Sequence, residues 1–305
     1  MPSSGQFAAQ SVPSYREHMA VLNEILRLRQ EYLEKLKTTV LSERKAKGTS
    51  TASVADTSSH LSVQIAADWG AKISSSAYGQ SLSPQAAGAH FQRITMEFVS
   101  EALRSLSSLR PGTWIVTSHT HEVQQYDQYS HLSDLKTKLR SDPSLKSMFG
   151  NEYFVRPDVV VYREPIDPLD LGAPTGGRTV ARYSPLLKDA EYGGGKPTLH
   201  ASISCKLTMR SDRAQNTRTE ALNLIRNRKG RVPHIVVVTA EPTPGRLESL
   251  AIGTGDLDCV YHAGLHELVE AVDAVGDSRA IESLMVLVQG RRLRDISDLP
   301  LDLVV

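Results

Sequence analysis

Residues 200–230 read HASISCKLTMRSDRAQNTRTEALNLIRNRKG, and this stretch decides the fold. It opens as an apolar run suited to a strand and closes as a helical pattern. HIVVVT at 234–239 is a second, continuous β-branched run, the mark of a strand buried on both faces. Strand, helix, strand over 198–239 is a βαβ unit, so the expected class is α/β with a mixed central β-sheet flanked by helices. Basic charge is concentrated here. Lys206, Arg210, Arg213, Arg218, Arg226, Arg228, Lys229 and Arg231 face only Asp212 and Glu220, a local net of +6 in a chain whose total is +1. A basic patch in a neutral chain is the footprint of a polyanion site.

Side chains on a strand alternate faces with period two. Ser204 and Lys206 therefore share one face, and Ala201, Ile203 and Cys205 share the other. A lysine ending an apolar strand needs a charged partner. YFVRPDVVVY at 153–162 offers one, because Pro157-Asp158 reads as a turn opening a buried strand, and proline suits a strand start. Asp158 and Lys206 then stand at the ends of strands that can pair, and Glu220 lies in the helix that follows. Two carboxylates and a lysine beside a basic groove are the layout of metal-dependent phosphodiester hydrolysis. Carboxylates hold Mg²⁺, a hard cation with oxygen ligands. The metal lowers the pKa of bound water, and the lysine stabilises charge on phosphorus or orients the water.

The RSDR cluster supplies a reading surface. Arginine forks pair with guanine O6 and N7, and aspartate accepts from cytosine N4. Arg210, Asp212 and Arg213 can thus read C and G within a half-site. The competing reading of the same residues is a salt-bridge cluster at a helix start, and the two roles are compatible.

At these residues the sequence resembles the NgoMIV-type type II restriction endonucleases, members of the PD-(D/E)xK nucleases that cut around CCGG. The resemblance is close over HASISCKLTMRSDRAQNTRTEALNLIRNRKGRVPHIVVVTAEPTPGRL (200–247) and DISDLPLDL (295–303), moderate over 83–158, and weak before about residue 50. A run of this length is far more specific than a PD…K pattern alone. The resemblance implies a PD-(D/E)xK core and a Mg²⁺ site, with one or two ions, formed by Asp158 and Glu220 with Ser204 and the Cys205 main chain lining it. It makes Lys206 the cationic catalyst and gives RSDR the CCGG core. It places Asp56, Ser58 and Arg246 on the outer base pair and Gln85 in the minor groove. The implied site is GCCGGC, cut after the first G to leave 5′ extensions. A palindrome implies a two-fold homodimer, and the family pairs dimers into a homotetramer. A DNA methyltransferase protecting host DNA would be the functional companion. One position departs from the pattern. Where the family has a helix glutamate at the metal, this chain has Gln92, whose oxygen can ligate but carries no charge. Glu97 lies rotated about 140° around the helix and is a poor substitute.

Composition bounds the rest. A chain of 305 residues with 40% hydrophobic and 23% charged residues suits a globular enzyme with a sizeable core. Aromatics at 6% argue against a stacking platform for single strands. Cys205 and Cys259 lack CxxC spacing, which argues against a zinc ribbon or a disulfide scaffold. MPSSGQF at the N-terminus has no basic head with an apolar run, so no signal peptide is expected. No stretch reaches about eighteen apolar residues, so no membrane span is expected, and a reducing cytoplasm fits.

Along the chain, residues 1–14 read as a mobile arm and 15–305 as a single endonuclease domain, with a catalytic core over about 83–262. Met19, Leu22, Leu26, Leu33, Leu36 and Val40 predict a core-packed or dimer-packed helix over 15–45. GTSTASVADTSSHLSV at 48–63 reads as a linker or a functional loop, and 66–74 as a short helix. Ser83-Pro84 predicts a helix start, with the helix running to about Leu109. Trp114–Ser118 reads as a strand. His119 and His121 could hold zinc, or form ordinary polar surface. Residues 126–140 and 143–149 look helical, and 164–195 reads as a Pro/Gly-rich loop insertion. GGGK at 193–196 fails as a phosphate loop, since the P-loop needs wider glycine spacing and Ser/Thr after the lysine. A Pro-rich loop over 240–246, strands at 250–252 and 258–262, and helices over 265–275 and 279–288 complete the reading.

Two other functions stay open on sequence. One is a site-specific DNA-binding protein whose cleavage is impaired by Gln92. The other is an interaction protein whose basic helix faces a partner; it predicts no preference for GCCGGC.

Overall fold

Strand β5, Thr198–Lys206, is the axis of a six-stranded mixed sheet in the order β3-β4-β5-β6-β7-β8. This computed structural model describes residues 15–118, 122–142, 144, 147, 154–172, 183–188, 195–252 and 255–305. On one side of β5 lie β4 (Val159–Arg163) and β3 (Trp114–Ser118), joined antiparallel. On the other lie β6 (His234–Thr239), β7 (Cys259–His262) and β8 (Leu293–Asp295), all parallel. The sheet is therefore mixed α/β, as the βαβ reading predicts. The crossover helix between β5 and β6 spans Ser211–Asn227.

Both central strands are buried on both faces, which is why they read as uninterrupted apolar runs. One sheet face packs Val159, Val161, Ala201 and Ile203 with Phe91, Ile94 and Phe98 of a long helix, Pro84–Ser105. The other sets Val160, Leu199 and Ile235 against Ala221 and Leu224 of the crossover helix and against Tyr126 and Tyr129. A register shift between Val161 and Tyr162 leaves His200 as an extra, unpaired residue of β5, a bulge in that strand. The Pro84–Ser105 helix starts as predicted: Ser83 Oγ accepts the Ala86 N–H, and Pro84 takes the first turn.

Several boundaries differ from the sequence reading. The first helix, Tyr15–Lys35, runs on through a π-turn to Val40 and stops before Lys45. Its buried stripe centres on Ile25, Arg29, Tyr32 and Leu36, while Leu22 and Leu26 sit at the margin and are each 52% exposed. Leu33, Leu36 and Val40 are buried as the pattern predicts; it misplaces only the first half of the stripe, whose centre holds Arg29. The supposed linker is half of a hairpin, β1 (Glu43–Ala46) with β2 (Thr49–Ala52), closed by Lys47 and Gly48 with φ of 51° and 80°. Two positive φ angles match the right-handed twist of paired strands. The next helix is longer than expected, His60–Lys72, capped by Ser59. The expected strand at 250–252 is helical, because Pro244 opens a helix over Pro244–Ala251. Within 126–140 the chain forms a short 3₁₀ turn at Asp127–Tyr129 before a helix at Leu132–Ser141. The N-terminal arm 1–14, His119, His121, Gly193, Gly194 and most of 143–153 lie outside the described residues, as do 173–182 and 189–194 of the expected insertion. Among the described residues no helix is long and apolar enough to cross a membrane.

Arg29 locks the first helix to the far edge of the sheet. Its guanidinium donates to both oxygens of Asp295 (2.7 and 2.8 Å) and both of Glu267 (3.0 and 2.7 Å). Burial would raise the Asp295 carboxyl, but Arg29 and the Ser297 donors outweigh it and hold it at about 2. A depressed carboxyl stabilises the fold above its ordinary value of 3.8 and loses that contribution as pH falls through about 2. Arg29→Met should leave a buried, uncompensated carboxylate and cost about 3–5 kcal/mol at neutral pH. Thermal melts of both proteins should show the gap shrinking as the pH is lowered from 7 towards 3, where Asp295 protonates in the variant.

Candidate nuclease and DNA-recognition site

Asp158 sits at the turn that starts β4, and register brings it to the end of β5, since Val159 pairs with Ile203. Asp158 Oδ2 accepts the Cys205 N–H (2.8 Å), the Lys206 ammonium (2.8 Å) and, at 3.5 Å, the Ser204 hydroxyl. Ser204 and Lys206 thus share a face, as period two requires. The Cys205 thiol points to the opposite, buried side, where burial pushes its pKa well up; only its main chain lies in the site.

Glu220 rides on the crossover helix above this face. Burial raises its carboxyl, Lys206 opposes the rise, and the charge of Asp158 adds to it. For Lys206, burial works against the charged form, but Asp158 and Glu220 outweigh it and hold the ammonium above its usual range. The three groups are electrostatically one unit.

Gln92, 4% exposed, reaches the same strand end from the Pro84–Ser105 helix, and its Nε2 donates to the Asp158 main-chain carbonyl. A carboxylate could not make that bond. Glu97 does not join the site: it pairs with Lys35 (3.1 Å) and Arg93 (2.8 Å). Among the described residues no three His, Cys, Asp or Glu side chains converge as a metal cluster.

Beyond Lys206 the chain turns into the RSDR segment. Arg210 and Asp212 are exposed, and Arg213 Nη1 donates to the Thr208 carbonyl (3.1 Å) and hydroxyl (2.9 Å). Among the described residues no ion pair joins Arg210, Asp212 and Arg213, so the helix-start salt-bridge reading finds no support. A cleft of about 340 Å³ runs beside them, lined by Cys205, Lys206, Thr208, Arg210 and Arg213 on one wall. Arg44 of the β1–β2 hairpin and Pro84 at the start of its helix line the other wall. Gln85 is exposed beside Pro84. Arg44 was not singled out in the sequence; the basic run Arg44-Lys45 in a strand-paired hairpin was the available signal.

A second cluster lies beyond the segment. Arg246, in the first turn of the Pro244–Ala251 helix, pairs with Asp56 and lies 3.7 Å from Glu241. Asp56 is held at about 2, first by hydrogen bonds from Ser58, then by Arg246. Asp56, Ser58 and Arg246 therefore form one group from distant parts of the chain.

A model of the family described as NgoMIV restriction enzyme matches residues 34–305. The type II restriction enzyme NgoMIV of Neisseria gonorrhoeae is 43% identical over 257 residues, which cover 82% of this chain and 89% of that protein. Among solved structures, Bse634I with cognate DNA is 13% identical at a TM-score of 0.32, covering 80% of this chain and 99% of its own. A PspGI–substrate DNA complex is 14% identical at 0.25, covering 97% and 93%. The sequence matches make the chain a type II restriction enzyme, a DNA-cleaving hydrolase. Within that class it belongs to the NgoMIV restriction enzyme family.

Gln92→Leu should strand the Asp158 carbonyl without its donor. The expected cost is about 1–3 kcal/mol in stability, with DNA cleavage reduced far more than DNA binding; calorimetry and matched cleavage and gel-shift titrations check this.

Proposed function

We propose that the protein hydrolyses double-stranded DNA at GCCGGC in a Mg²⁺-dependent reaction, cutting after the first G, with one half-site read by each subunit of a homodimer that pairs into a tetramer. The observation that carries the reading is the contact of Asp158 with Ser204, Cys205 and Lys206 at the head of the RSDR segment. Restriction endonucleases generally use a divalent metal. The donors here suit one: Asp158 and Glu220 offer hard oxygens, and two carboxylates leave positions that Mg²⁺ fills with water. Zinc would want a closed set of nitrogen or sulfur ligands. When bound, Mg²⁺ would lower the pKa of water and shield phosphate charge.

The chain's own groups supply the rest. Lys206 is held in its charged form by two carboxylates, so it stabilises negative charge that develops on the phosphate oxygens. The Cys205 N–H and Ser204 hydroxyl keep the Asp158 carboxylate in one orientation, and Gln92 steadies its main chain. Arg210, Asp212 and Arg213 meet the CCGG core, Arg246, Asp56 and Ser58 the outer pair, and Gln85 the minor groove. Residues 15–305 act as one endonuclease domain, the companion being a methyltransferase acting on the same sequence.

A plasmid bearing one GCCGGC site and its site-free twin test this. With Mg²⁺, only the first should be cut, and end sequencing should give 5′ extensions beginning CCGG. Cutting at CCGG regardless of flanks would sink the outer-pair assignment. A gel shift confined to the site without cutting at any Mg²⁺ or Mn²⁺ concentration would favour the second reading, specific binding without hydrolysis, which the uncharged Gln92 motivates. Gln92→Glu would then be the next variant.

A further inference from the structure

Glu241 is a fully buried carboxylate, 0% exposed, that the hydrolytic site does not use. It lies two residues past the end of β6 and touches two recognition segments directly, with a third reached through Arg246. Its Oε2 accepts the N–H of Met209 (2.8 Å), the residue before Arg210. Its Oε1 accepts the N–H of Thr243 (3.1 Å), the cap of the helix that carries Arg246. Arg246 Nη1 stands 3.7 Å from Oε2, and the same guanidinium pairs with Asp56. A parallel link closes the ring. Thr243 Oγ1 bonds Ser62 Oγ (3.2 Å), and Ser62 Oγ accepts the Asp56 N–H (2.9 Å).

Segments at 209–213 and 243–246, far apart in sequence, therefore meet on one buried side chain, and 56–58 joins them through Arg246 and Ser62. A carboxylate is acceptor-only and can take a main-chain N–H on each oxygen. An amide in its place satisfies one of the two donors and opposes the other with its own NH₂. Buried donors left unpaired relax by moving their segment, and here the segments that would move carry Arg210 and Arg246.

We propose that Glu241 is a specificity-determining positioning residue: it fixes the offset between the Arg210–Arg213 segment and the Arg246–Asp56 pair, so that core and outer base pairs are read in one register. This rests on the DNA reading above. Glu241 touches no reacting atom, and its loss blurs sequence choice while leaving hydrolysis intact.

The test uses the full-length enzyme with Mg²⁺ on two duplexes, one carrying GCCGGC and one with the CCGG core kept and the outer pair replaced. For wild type, Glu241→Gln and Glu241→Ala, the ratio of kcat/KM between the duplexes is measured, with kcat on GCCGGC and the melting temperature alongside. The ratio should fall about tenfold or more in both variants while kcat on GCCGGC stays within about threefold of wild type. A general loss of structure would lower kcat on both duplexes and leave the ratio alone. Ser62→Ala, which cuts only the parallel link, should move the ratio the same way by less, and it decides the matter if neither Glu241 variant folds. A folded variant that keeps the wild-type ratio overturns the proposal. A wild-type ratio near one overturns the outer-pair reading itself, and this proposal with it.

Discussion

The contact between Asp158 and the end of β5 is the constraint on which the rest of the site depends. It joins the start of one strand to the end of its antiparallel neighbour, so the register of the sheet sets the position of the Asp158 carboxylate. Three donors from consecutive residues, Ser204, Cys205 and Lys206, converge on one oxygen. That geometry is available only because β4 opens at a Pro-Asp turn and β5 ends where the chain must leave the sheet. The residues that leave it are the RSDR segment. On the proposed reading, hydrolysis and recognition are both placed by one strand-to-helix transition.

Electrostatics enforces the same arrangement. Lys206 is partly buried, and its charge would be costly alone. Asp158 and Glu220 more than offset that cost. Burial pushes Glu220 towards its neutral form, Lys206 opposes that, and Asp158 adds to it. Gln92 fits the picture as a neutral support: among two carboxylates it adds a donor to the Asp158 main chain without adding a third negative charge.

Much of this was legible in the sequence because it is local. The βαβ unit follows from two β-branched runs and a helical pattern between them, and period two alone puts Ser204 beside Lys206. What was not legible depends on residues that break their local rule. The turn at Lys47-Gly48 places a lysine at positive φ, so the hairpin beneath it passed for a linker. The first helix buries Arg29 at the centre of its apolar stripe, because Asp295 and Glu267, more than two hundred residues away, neutralise it. The short helix carrying Arg246 hid behind a Pro-rich run. Glu241 gave no signal, since a buried acid is recognised only by the donors that tertiary structure brings to it.

On the proposed reading, cutting and reading are separable functions of one strand–helix unit. The most direct measurement is Lys206→Ala against wild type, with gel-shift affinity for a GCCGGC duplex and cleavage of that duplex in Mg²⁺ determined on the same preparations. Binding confined to the site should stay close to wild type, with cleavage reduced to background. Cleavage that survives the substitution, or binding that loses its preference for the site while the protein remains folded, would contradict it.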